Sequence, residues 1–222
     1  MGADQYRPLH ELLARHVPDG AGVLDWGAGL GHLSYVLAQS GYRAVGFALE
    51  ECSFASWMDW NRYRFVRGGP SDPVRLPFAS SSFDAVASVG VLEHVREIGG
   101  DESASLSEIH RVLRPGGAFV CVHFPNRWSW IELAARAFGR SGHAHRYTER
   151  DIAQLVRQAD MTLIERFRYG FLPRNSWARF PEWARASRRL ADAWNRADVG
   201  ASALFNGLCQ NYAFVARKPG RL

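Results

Sequence analysis

Between Leu9 and Val17 apolar residues recur at the spacing of one buried helical face, and Pro18-Asp19-Gly20 breaks the pattern. Gly22 to Leu24 follows as an apolar run suited to a buried strand. A glycine-rich turn leads into a second amphipathic helix, His32 to Ser40, which Gly41 closes before the apolar run Arg43 to Leu49. The same reading predicts a helix over Phe54 to Asn61 and a strand over Arg64 to Arg67, then a loop through Gly68-Gly69-Pro70-Ser71-Asp72-Pro73. Phe83 to Val89 has the pattern of a buried strand. Leu106 to Leu113 is helical and is stopped by Arg114-Pro115-Gly116-Gly117 before the apolar strand Ala118 to His123. Thr148 to Ala159 reads as a helix capped by Thr148, with Asp151 in the place of the usual capping-box glutamate. Thr162 to Tyr169 and Tyr212 to Lys218 are the last two strands, separated by a Trp-, Phe- and Arg-rich insertion over 171–210.

Strands alternating with helices predict an α/β fold with a mostly parallel, doubly wound sheet. The 222 residues, 47% of them hydrophobic, suit one domain over 1–222. No apolar run approaches the roughly 20 residues that span a bilayer, and Met1 to His10 lacks an apolar leader, so a cytoplasmic protein is expected. Cys52, Cys121 and Cys209 are far apart and form no C-x-x-C pair, which predicts free thiols. The net charge of +5 is carried almost wholly by arginine, Lys218 being the one lysine. Nucleic acid is not the expected partner, because the fourth strand ends Ser88-Val89-Gly90-Val91 and lacks the motif that grips a flipped base, and no RNA-binding module is visible.

Asp25-x-Gly27-x-Gly29-x-Gly31 follows a strand and opens a helix, so the backbone turns tightly and can approach a ligand closely. A dinucleotide fingerprint requires its third glycine at position 32, which is His32 here. An acid at the strand end suits instead a ligand bearing an ammonium and a sulfonium. Further along stand Asp72-Pro73-Val74-Arg75-Leu76-Pro77-Phe78, Ser82-Phe83-Asp84-Ala85-Val86, Val91-Leu92-Glu93-His94-Val95 and Glu108-Ile109-His110-Arg111-Val112-Leu113-Arg114-Pro115-Gly116-Gly117. Together these motifs resemble the class I S-adenosylmethionine-dependent methyltransferases of the ubiquinone- and menaquinone-methyltransferase type. The resemblance covers roughly Tyr6 to Tyr169 and the final strand.

The resemblance implies a Rossmann-like sheet with an antiparallel last strand, and S-adenosylmethionine as cofactor. It places Asp25, Gly27, Ala28, Gly29 and Gly31 on the methionine and ribose side of that cofactor, with Val89 at the end of the fourth strand beside it. The family's ribose-binding acid, expected after Val45-Gly46-Phe47, is replaced by Ala48. Glu50 projects to the same side of an extended segment and is the substitute expected from alternation. Asp72 matches the acid that holds the adenine amino group, and Pro73 removes the backbone N–H that follows it in the family. Both departures fall on the adenosine half of the pocket. They keep open a noncatalytic cofactor-binding or scaffold protein as the alternative to an enzyme.

Methyl transfer to a hydroxyl needs a base, and histidine serves near neutral pH. His94 follows the fourth strand at the sheet end where ligands bind, and is the first candidate. His123 ends the fifth strand and is the second. Within His143-Ala144-His145-Arg146-Tyr147-Thr148, His145 or Tyr147 is expected to orient an acceptor, and no metal site is expected because no third ligand of suitable spacing accompanies the pair. In the insertion, Glu182 to Ala197 is helix-compatible with Trp183, Ala186, Leu190 and Trp194 near one face. The acceptor expected is a small molecule, a glycan or a lipid-linked intermediate, and two readings of the insertion stand: a lid helix packed over the acceptor pocket, or a basic aromatic helix over 177–197 making peripheral contact with the inner membrane face to reach a lipid-linked acceptor.

Overall fold

The computed structural model describes residues 6–49, 61, 63–69, 73–139, 142–173 and 180–220. Seven strands form one sheet: β1 Gly22–Trp26, β2 Arg43–Ala48, β3 Tyr63–Arg67, β4 Phe83–Val89, β5 Leu113–Pro125, β6 Thr162–Tyr169 and β7 Asn211–Arg217. Their order is β3-β2-β1-β4-β5-β7-β6. Neighbours from β3 to β5 pair in parallel, whereas β7 runs antiparallel to both β5 and β6. The expected antiparallel last strand is thus present, inserted between the two strands that precede it.

Helices cover both faces. α1 (Arg7–His16) and α2 (His32–Gln39) bury Leu9, Leu12, Leu13, Leu33 and Leu37 against Val23, Ala85, Ala87, Val120 and Val215. On the other face α3 (Glu102–Val112) and α5 (Glu149–Gln158) bury Leu106, Ile109, Ile152 and Val156 against Leu24, Val86, Phe119 and Phe214. β5 is buried through most of its length because alternate residues serve the two cores: Val120 and Val122 face one, Phe119 and Cys121 the other.

Local chemistry explains most boundaries. Thr148 caps α5 in a complete capping box with Asp151, as its sequence predicts. α3 begins four residues before the apolar periodicity, at Glu102, because Asp101 caps it through the Ala104 amide. α4 (Trp130–Ala137) and a 3-10 segment over Leu92–Ile98 were not anticipated. The helix expected over Phe54 to Asn61 lies outside the described residues except for Asn61.

The insertion contains two helices where one was expected from Glu182 to Ala197. α6 (Glu182–Arg185) ends at Ala186, and α7 (Arg188–Leu204) starts afresh with Ser187 as its N-cap, so the proposed apolar face is interrupted. Trp183 stands 72% exposed, while Trp194 packs edge-on against Phe180. The C-terminal half of α7 is pinned to the sheet end: Ser202 and Asp198 accept the amides of Phe171 and Leu172, and Phe171 stacks on Phe205. No helix among the described residues is long and apolar enough to cross a membrane.

Candidate functional site

The carboxyl ends of β1 and β4 meet at the glycine turn. Gly27, Gly29 and Gly31 have φ of +82°, +51° and +88°, in the region that glycine enters without steric cost. The Gly27 and Ala28 amides both donate to the Phe47 carbonyl at the end of β2, which fixes the turn against the sheet. A side chain at Gly27 would overlap the methyls of Val91, with Cγ1 at 2.9 Å and Cγ2 closer still. At Gly29 it would meet only the Gly27 carbonyl oxygen, 3.9 Å away. The turn therefore rests on Val91 and presents bare backbone outward at Gly29. Such a cradle fits a ligand that must approach the main chain, as the methionine end of S-adenosylmethionine would.

Asp25 is 2% exposed, and its Oδ2 accepts from Ser34 Oγ at 2.6 Å. The Ser34 amide also donates to it. α2 has a glycine, Gly31, at its N-cap and so no side-chain cap of its own. Asp25 fills that role from the end of β1. Burial pushes its pKa up to about 7, against the lowering effect of the two Ser34 hydrogen bonds. From this position it supports the loop from beneath.

Ala48 closes β2, and Val89, half-buried, closes β4 beside Val122. Glu50 and Asp72 lie outside the described residues; Pro73 is half-buried at the start of the following segment. That segment is held by α3: Glu108 Oε2 accepts the Leu76 amide, and Arg111 donates to the carbonyl oxygens of Leu76 and Phe78 while bridging back to Glu108. Arg111 and Glu108 thus fasten the chain just after the expected adenine-side residues.

Beyond β4, Gly90 (φ +66°) turns the chain, and Glu93, His94 and, from a distant loop, His143 come together. Glu93 is 2% exposed, and its Oε2 has no hydrogen-bond partner. Burial pushes its pKa up to about 7, opposed by its own backbone amide and by the nearby imidazoles of His94 and His143. His94 is 45% exposed at its side chain; Nδ1 meets Glu97 Oε1 at 2.9 Å, and Nε2 faces Glu93 Oε1 at 4.0 Å. His143 Nδ1 lies 2.8 Å from Glu132 Oε1, and its amide donates to Glu132 Oε2. The hydrogen bond and charge of Glu132 raise the His143 pKa above the ordinary histidine range, despite burial. Sequence spacing pairs His143 with His145; the structure pairs it with Glu93 and His94.

His123 occupies a bulge at the end of β5 with φ +66°, and Tyr169 Oη holds both its amide and its Nδ1, the latter at 2.6 Å. His145 lines a separate cavity of about 510 Å³ with Arg96, Arg127, Arg146 and Tyr147. Tyr147 is buried, stacked on Phe124, and donates a short hydrogen bond to the fully buried Glu102, which also binds Arg96 at 2.6 Å. Tyr147 is therefore a wall of this cavity whose hydroxyl is already committed. Val91 was missed by sequence reasoning as a support of the glycine turn. Its position two residues before Glu93 gave no hint that it faces Gly27.

A methyltransferase-domain model matches residues 24–121. An uncharacterized methyltransferase from Synechocystis sp. is 30% identical over 167 residues, 73% of this chain and 75% of its own length. A demethylmenaquinone methyltransferase from Beutenbergia cavernae is 40% identical over 130 residues, 56% of this chain, and the chain spans about half of that relative, 49%. Among solved structures, a chain from the complex of the Haloferax volcanii Trm112 methyltransferase activator aligns with a TM-score of 0.69 at 21% identity, covering 99% of this chain and 92% of that one. The Burkholderia thailandensis 1,6-didemethyltoxoflavin-N1-methyltransferase, solved with S-adenosylhomocysteine bound, aligns at 0.61 and 23%, covering 97% and 78%.

Proposed function

Given that the chain belongs to the class I S-adenosylmethionine-dependent methyltransferases, we propose that it methylates a hydroxyl of a small-molecule or lipid-linked acceptor. The observation that supports this reading is the contact of Gly27 with Val91, because Val91 lies two and three residues before Glu93 and His94 in the same short segment after β4. When bound, the cofactor supplies a methyl group on a positively charged sulfur, which is displaced in line as the carbon–sulfur electron pair returns to sulfur. This chain's residues position the partners and accept the hydroxyl proton.

In this reading Gly27, Ala28, Gly29 and Gly31 meet the cofactor through backbone, and Asp25 keeps the turn in shape while adding negative charge beneath it. Val89 packs beside the cofactor, Glu50 takes the ribose hydroxyls, and Asp72 with the Pro73 segment takes the adenine. His94 Nε2 accepts the acceptor's proton, its ring held by Glu97 at Nδ1. His145 and the arginines of its cavity orient a polar or anionic part of the acceptor.

The test is calorimetry with S-adenosylhomocysteine followed by methylation assays on hydroxylated aromatic and quinol acceptors. Absence of binding at millimolar ligand would sink the cofactor assignment, and His94→Ala at undiminished turnover would sink the proton role. The lipid-linked form of the proposal is favoured by large apolar side chains left open to solvent: Phe138 is 82%, Leu204 77% and Trp183 72% exposed. Sedimentation with anionic liposomes checks it, binding being expected to fall in a Trp183→Ala, Leu204→Ala double variant.

A further inference from the structure

Glu93, His94 and His143 place one carboxylate oxygen and two imidazole nitrogens within 4.8 Å of one another. Two features separate this group from a chance meeting of polar side chains. First, Glu93 Oε2 is buried without a hydrogen-bond partner, a costly arrangement that a cation would relieve. Second, each histidine has its outer nitrogen engaged by a carboxylate: Glu97 holds His94 Nδ1 at 2.9 Å and Glu132 holds His143 Nδ1 at 2.8 Å. That leaves both Nε2 atoms for the shared space, and carboxylate–histidine pairs of this kind orient metal-binding imidazoles and raise their basicity. Glu132 is itself 4% exposed, and a side chain on Gly142 would strike its Oε2, so the loop carrying His143 is built closely onto its orienting carboxylate.

We propose that Glu93, His94 and His143 bind a divalent transition-metal ion at the carboxyl end of β4. Two imidazoles and one carboxylate suit zinc, iron(II) or cobalt(II) over magnesium or calcium, which prefer all-oxygen sites. Ligand atoms about 2.0–2.2 Å from an ion lie roughly 3–3.5 Å apart. The half-exposed His94 ring can make most of the required approach by side-chain rotation. Three protein ligands leave coordination positions open for an acceptor oxygen, whose pKa the ion would lower so that its proton passes to solvent water before methyl transfer. This role rests on the methylation reading above; there the ion takes over the work assigned to His94 Nε2, while the metal site itself rests on geometry alone.

The experiment uses tag-free full-length protein, stripped with chelator and titrated with Zn²⁺ by calorimetry and with Co²⁺ by visible absorption. One ion per chain is expected, with a cobalt spectrum of nitrogen and oxygen ligation. His94→Ala and His143→Ala should weaken binding at least tenfold, as should Glu132→Gln, which keeps the fold but loosens the His143 ring. His10→Ala, on α1, should leave it unchanged. Circular dichroism melts confirm that each variant is folded. Absence of stoichiometric binding, or binding indifferent to His94 and His143, overturns the proposal. S-adenosylhomocysteine titrated in parallel separates the two ideas: its binding without metal binding overturns the ion and keeps the methyltransferase reading, and metal binding without it does the reverse.

Discussion

Replacing Gly27 by alanine tests whether the glycine cradle is shaped by its neighbour. At φ +82° a β-carbon costs about 1–2 kcal/mol in the left-handed region. The new atom also falls 2.9 Å from Val91 Cγ1 and nearer to Cγ2. Overpacking of that kind costs about 1–3 kcal/mol, and reduced freedom of the unfolded chain returns about 0.4–1. The net expectation is a loss of about 2–4 kcal/mol in urea unfolding. S-adenosylhomocysteine affinity should fall at least tenfold, because the turn must lift off Val91 to accommodate the methyl group. Val91→Ala removes both clashing methyls and leaves the backbone strain. The double variant should therefore be less destabilised than the sum of the singles by about 1–3 kcal/mol, with part of the affinity restored. Wild-type stability and affinity in Gly27→Ala would refute the reasoning. So would a double variant that is additive within about 0.5 kcal/mol, since the pair would then not be in contact.

Three further outcomes are expected. The Asp25 pKa is raised on folding, so its contribution to stability is present below pH 4 and lost as pH rises through about 7; between pH 5 and 8 the wild type should lose roughly 2–3 kcal/mol that Asp25→Asn does not, and parallel urea profiles would contradict the burial argument. Arg111→Ala removes the bonds to Leu76, Phe78 and Glu108 and should cost about 1–3 kcal/mol while weakening S-adenosylhomocysteine; unchanged affinity would mean that the segment after Pro73 does not contact the cofactor. Asn126, fully buried, donates to the carbonyl oxygens of Gly207 and Cys209. Asn126→Ala should cost about 1–3 kcal/mol and speed amide exchange selectively over 206–210, which mass spectrometry would read.

Some of this protein is written locally in its chain. Phe83–Val89 coincides with the strand read from its apolar run, Thr162–Tyr169 with the strand expected there, and Thr148 with Asp151 caps the start of α5 as spacing implies. Runs and caps depend on near neighbours, so they survive without knowledge of the fold. The glycine turn was legible for the same reason, since its positive φ values call for glycine, whereas the contacts with Phe47 and Val91 that hold it were not. α4 had a signal that went unread: Ser129-Trp130-Ile131-Glu132 is a capping-box spacing, and Ser129 does accept the Glu132 amide. The helix is only eight residues long, and Glu132 is its one fully buried residue while Trp130, Ile131, Ala134 and Ala135 are half-buried, so it adds little to the core pattern that marks the longer helices.

Tertiary structure alone decided the rest. Asp25 looks from sequence like a ligand contact; packing of α2 on β1 turns it inward to Ser34, where burial sets its ionisation. Ser187 could cap a helix wherever one began, and only the chain's path made it divide the insertion in two. His143 has no suitable partner within its own segment. It meets Glu93 and His94 because Glu132 on α4 holds its loop against the carboxyl end of β4. Local spacing determines elements and turns, whereas a site assembled from separate loops exists only once long-range packing has fixed where those loops end.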